Sequence, residues 1–81
     1  MEPSALRHQI LRRVQAHEAT GSSAYLDDEV IATALSLPVT DIQQQLLILE
    51  DDDQIDLVKA FGPSFGARLT PRGMKALETP E

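Results

Sequence analysis

One proline divides the most helix-prone stretch of this chain. From Leu26 to Ile55 the sequence runs LDDEVIATALSLPVTDIQQQLLILEDDDQI. Apolar residues recur there at helical spacing on both sides of Pro38. Proline has no N–H to donate and disfavours the helical conformation in the residue before it. The stretch therefore predicts two helices joined by a tight turn at Leu37-Pro38-Val39. The first is expected to open on Asp27 or Asp28 as its cap and to bury Val30, Ile31, Ala34 and Leu35. The second is expected to open with a capping box, Thr40 and Gln43 satisfying each other's backbone donors. Its core stripe is Ile42, Leu46 and Leu49, which leaves Asp41, Gln44, Ile48 and Asp51 on the opposite side. Leu47 sits at the boundary of that outer side and is expected to pack inward, with Ile48 outside. The helix should end near Asp52 or Asp53, since aspartate tolerates the left-handed conformation better than most residues.

The flanks supply a partner for each apolar face. Pro3 and Ser4 mark a first helix, with Ser4 as cap and Leu6, Ile10, Leu11 and Val14 on one side. Arg12 points away from that side and Arg13 lies at its edge. Gly21, within Thr20–Ser23, is the natural stop. Ala24, Tyr25 and Leu26 read as a short extended piece. After the second and third helices, Ile55 to Phe61 reads as a strand and Gly62-Pro63-Ser64-Phe65-Gly66 as an exposed, mobile loop. Ala67 to Leu69 forms a returning strand. Thr70 followed by Pro71 is a helix start, cap then proline at the first position. That last helix, running to about Glu78, would dock through Met74 and Leu77. Ile10, Val14, Ile31, Leu35, Ile42, Leu46, Leu49, Ile55 and Leu69 should form one buried cluster, and residues 1–81 one domain.

Composition narrows the chemistry. The 81 residues include no cysteine, so neither a disulfide nor a thiolate metal site is available. No apolar run approaches the length that crosses a bilayer, and the first ten residues lack a signal-peptide core. The expectation is a soluble, cytoplasmic chain with no membrane partner. The formal charge of −6 is segregated: Arg7, Arg12 and Arg13 lie near the start, and Lys59, Arg68, Arg72 and Lys75 near the end. Between Glu18 and Asp56 there are ten acidic residues and neither Lys nor Arg.

The run LPVTDIQQQLLILEDDDQIDLV resembles the turn, recognition helix and first wing strand of the winged helix-turn-helix family. ARLTPRGMKAL resembles its second wing strand and closing helix. With the first helix, the resemblance spans nearly the whole chain. It implies an α+β winged helix: a three-helix core containing the helix-turn-helix, a small antiparallel β-hairpin wing and a C-terminal helix.

Three further patterns have ordinary explanations. Gly62-Pro63-Ser64-Phe65-Gly66 matches G-x-S-x-G, but that motif works where a strand turns into a helix and a histidine follows. Here it joins two predicted strands, and both histidines, His8 and His17, precede it. Glu50 to Asp53 with Asp56 lacks the alternation and central glycine of a calcium loop, so a solvated acidic corner is expected. His8 and His17 are too far apart along one helix to share a metal. No nucleophile–base pair or phosphate-cradling loop occurs; the chain reads as a non-enzyme with no metal and no cofactor.

Function then turns on the outer face of the third helix. DNA-binding relatives present polar and basic side chains there to base edges. Gln44 and Gln45 suit such contacts, while Asp41 and Asp51 flank them, and Leu47 and Ile48 stand where relatives often carry Lys or Arg. Asp27-Asp28-Glu29 occupies the helix start that commonly meets phosphate. Only Arg12, Arg13, Lys59, Arg68 and Arg72 are placed to touch a nucleic-acid backbone. The favoured expectation is a protein–protein interaction (adaptor or regulatory) module using Asp41, Gln44, Gln45, Leu47, Ile48 and Asp51, with a basic protein partner. A homodimer through the first and last helices is also compatible. The alternative is a DNA-binding transcriptional regulator reading the major groove with Gln44 and Gln45; duplex binding is expected to be weak or absent.

Overall fold

The computed structural model describes residues 2–21, 25–59 and 64–78. In chain order the elements are α1 (Pro3–Ala19), β1 (Leu26–Asp27), α2 (Asp28–Leu35), α3 (Val39–Asp51), β2 (Ile55–Val58), β3 (Gly66–Leu69) and α4 (Pro71–Glu78). This is an α+β fold of four helices and one three-stranded antiparallel sheet, ordered β1-β3-β2. Ala67 pairs with Leu26 on one side and Leu57 on the other, which centres β3.

One apolar cluster joins all the layers. Ile10, Val14, Ile31, Ile42, Leu46, Leu49 and Ile55 are buried in it as expected, with Leu6, Leu11, Leu26, Ala32 and Ala67 added. Leu35 and Leu69 pack against it half-buried rather than fully enclosed.

The helix ends follow backbone rules more closely than side-chain caps. Glu2, not Ser4, is the α1 N-cap, and the Ser4 hydroxyl instead donates to Glu2 Oε1 at 3.1 Å. Gly21 terminates α1 in the left-handed region at φ 86°. Ser36 ends α2 at φ 56°, its N–H donating to the Thr33 carbonyl while that of Leu37 reaches Ala32. Asp53 repeats this Schellman pattern after α3 at φ 60°, as the sequence suggests, with bonds from Asp53 to Glu50 and from Gln54 to Leu49. The Thr40–Gln43 capping box does not form: Pro38 is the α3 N-cap, without a side-chain bond.

The face of α2 is turned from expectation: of Val30, Ile31, Ala34 and Leu35, Ile31 and Leu35 point inward and the other two do not. Asp28, Ile31, Ala32 and Leu35 point inward at i, i+3, i+4 and i+7, while Val30 is 53% exposed and Ala34 lies outside. Asp27 stands at the N-cap position, one of the two expected, but makes no side-chain cap bond, and Asp28 begins the inward face fully buried.

The C-terminal half is built around close approaches. The Thr70 hydroxyl accepts the Gly73 N–H at 3.1 Å, the expected cap of α4, while the Thr70 N–H donates to the Gln54 carbonyl. Gly73 lies so near this turn that a Cβ on it would sit 1.9 Å from Gln54 O. Gly66 is comparable: its absent Cβ leaves room for the Tyr25 side chain, which would otherwise lie 2.8 Å away. Leu77 packs on the core, but Met74 is 49% exposed and does not dock α4. The strand expected to reach Phe61 ends at Val58; Ala60, Phe61, Gly62 and Pro63 lie outside the described residues, as does Ala24. The returning strand begins one residue early, at Gly66, and β1 covers Leu26–Asp27 without Tyr25.

Candidate functional site

Helix α3 turns Ile42, Leu46 and Leu49 into the core, and this fixes what it shows outside. Asp41, Gln44 and Asp51 are exposed. Ile48 is 42% exposed and Leu47 41%. The exposure of Leu47 corrects its expected burial. Two branched aliphatic side chains therefore stand in water beside a polar and acidic stripe.

Gln45 does not belong to that open face. Its Oε1 accepts the Arg7 side chain at 2.9 Å, which ties α3 to α1 and leaves the amide half-buried. Gln43 is engaged as well, its Nε2 donating to Asp28 Oδ2 at 2.7 Å. Among the three consecutive glutamines, Gln44 is the one on the outer surface.

The cations are distributed over α1, the sheet region and α4. Arg12 is exposed, donating from Nε to His8 Nε2 at 3.1 Å, and Arg13 is exposed one residue further along α1. Lys59 lies over the Phe65 ring, 5.7 Å from its centroid, and Arg68 over the Tyr25 ring at 5.5 Å. Arg68 also faces Asp56 across the sheet. Arg72 is exposed in the first turn of α4. None of the five lies on α3, so α3 presents no positive charge for phosphate.

Asp28, expected as a helix cap or as part of an exposed acidic helix start, is instead fully buried. Its Oδ2 accepts from both Gln43 and the Phe65 N–H, while Oδ1, equally buried, has no hydrogen-bond partner. This one carboxylate joins the start of α2, the first turns of α3 and the residue leading into β3. The i, i+3, i+4, i+7 spacing from Asp28 to Leu35 was the available signal. It also removes Asp28 from the acidic surface attributed to the start of α2; Asp27 and Glu29 remain exposed there.

Phe65 is correspondingly half-buried, packed on the core and bonded through its backbone, contrary to a freely exposed loop. Ser64 is half-buried too, and the described part of the G-x-S-x-G segment runs into β3, not into a helix. Among the described residues no group of three or more His, Asp or Glu side chains is arranged to hold a metal ion. No described helix is long and apolar enough to cross a membrane. No protein family's sequence profile matches the chain, and neither a curated protein nor a solved structure matches it.

Proposed function

We propose that this chain is a non-catalytic winged-helix recognition module of the cytoplasm, binding through the outer face of α3 a protein surface that presents basic side chains. The order of elements supports the winged-helix reading: helix, short strand, helix, tight turn, helix, then a β-hairpin and a closing helix. The single observation that carries the binding reading is the joint exposure of Leu47 and Ile48 beside Asp41, Gln44 and Asp51. Apolar groups desolvated at the centre of a contact supply affinity, and a charged rim selects the partner and steers its approach. The regulator reading is weakened at Gln45, whose carbonyl is already occupied by Arg7.

A pair of synthetic amphipathic helices tests this reading by calorimetric titration. Both carry leucine at i, i+3, i+4 and i+7; one has lysine and arginine flanks, the other glutamate. The basic helix should bind and the acidic one should not. Ile48→Glu should weaken the basic complex by about ten-fold or more, about 1.4 kcal/mol. Equal binding of both helices, or a folded Ile48→Glu variant that binds as wild type, removes the α3 face from consideration.

A further inference from the structure

The turned face of α2 leaves a second unpartnered apolar feature. Val30 and Ala34, turned outward, form one wall of a groove of about 270 Å³ whose floor includes Leu26 and whose other wall is Ala16 of α1. Arg13 stands exposed on that α1 wall. The groove is thus apolar within, with Arg13 on its α1 side and the exposed Asp27 next to Leu26 at its α2 end. The α3 face has the reverse character: an aliphatic pair projecting outward, with Asp41, Glu50 and Asp51 exposed on the same helix.

Resting on the α3 docking reading, we infer that its partner is a second copy of this chain, the Leu47–Ile48 pair of one copy entering the α1–α2 groove of the next. A two-fold contact of α3 with α3 would set acids against acids. Docking α3 on the groove places Asp51, which shares the Leu47–Ile48 face, toward Arg13 instead, with aliphatic side chains against Val30 and Ala34. The contact is head-to-tail: each copy offers one projecting face and one groove, so association continues into chains or closes into a ring. The formal charge of −6 opposes the approach of like copies. Measurement therefore belongs at physiological salt, where the screening length is about 8 Å.

Complementing variants read this out in sedimentation equilibrium. Ile48→Glu disables the projecting face, and Ala34→Glu fills the groove with a negative side chain. Both sites are exposed, and circular dichroism checks that each variant is folded; Val30→Glu replaces Ala34→Glu if that variant is not. The wild-type mass should rise above the 8.9 kDa monomer with concentration. Each variant alone should stay at the monomer mass, and an equimolar mixture should reach twice that mass and stop. A wild-type chain that stays monomeric up to about 1 mM overturns the inference. So does a folded groove variant that associates as wild type, the behaviour of a symmetric dimer through α1 and α4. If the monomeric chain still binds the basic helix through Ile48, self-contact falls while the α3 reading stands.

Discussion

Asp28 and Phe65 hold each other by two hydrogen bonds: the Asp28 N–H donates to the Phe65 carbonyl at 2.9 Å, and the Phe65 N–H donates to Asp28 Oδ2 at 3.0 Å. The residues are 37 apart in sequence, and the pair fixes the entry to β3 against the start of α2. Gln43 adds α3 to the same carboxylate.

Asp28→Ala should therefore loosen a joint as well as lower stability. It leaves the part-buried Phe65 N–H without its acceptor and removes the carboxylate to which Gln43 donates, at a cost of about 1–3 kcal/mol. Urea unfolding should show the loss, and hydrogen exchange at the Phe65 amide should accelerate beyond the global effect. Phe65 exchanging as fast in wild type as in the variant would show that the joint is not held in solution.

Gly73→Ala sets two effects against each other. Alanine is favoured over glycine within a helix by about 1 kcal/mol. Against that, the new methyl would sit 1.9 Å from the Gln54 carbonyl oxygen, a backbone atom that cannot rotate aside. Overpacking costs about 1–3 kcal/mol and more where the backbone must shift, so a net loss in the urea midpoint is expected. An unchanged or higher midpoint would mean that α4 sits further from the turn.

Ser36→Gly should stabilise. Ser36 holds φ at 56°, where a Cβ is unfavourable, and its side chain is exposed. Removing that strain should contribute about 0.5–1 kcal/mol, less than the full left-handed penalty because glycine is more flexible when unfolded. Thermal unfolding measures it, and a lowered Tm would count against the left-handed assignment.

Random duplex DNA at low salt should bind weakly, and the binding should disappear as salt rises. Asp27, Glu29, Asp41 and Asp51 are exposed, whereas the available cations lie off α3. Affinity for phosphate depends on cationic contacts and falls steeply with ionic strength. Tight, sequence-selective binding at physiological salt, lost in Gln44→Ala, would replace the protein-docking reading with the regulator reading.

Where burial repeats at helical spacing with apolar residues alone, the sequence is a sufficient guide. Leu6, Ile10, Leu11 and Val14 on α1 and Ile42, Leu46 and Leu49 on α3 are buried as their spacing predicts. On α2 the spacing finds Ile31 and Leu35 but not the rest of the face, because the first inward position is a carboxylate, which binary patterning assigns to water; Asp28 and Ala32 point inward where Val30 and Ala34 are expected. Gln43 and Gln45 are legible as polar, but their partners, Asp28 and Arg7, are 15 and 38 residues distant. Leu47 lies at a stripe boundary, where exposure depends on how far a neighbouring helix reaches. Met74 shows the same dependence on α4: three residues from Leu77, it remains outside because Gly73, not Met74, makes the close approach.

Glu18 gives the sheet a finished flank. On the side of β3 that pairs with β1, the Leu69 N–H lies two residues beyond the Leu26–Ala67 pair and donates to Glu18 Oε2 at 2.8 Å. A strand from another molecule seeking to extend the ladder there would find its donor already taken, by a carboxylate that it would have to displace. Charged side chains at strand edges discourage such growth. The residue that anchors the end of α1 to the sheet thus also occupies the donor that an incoming strand would need.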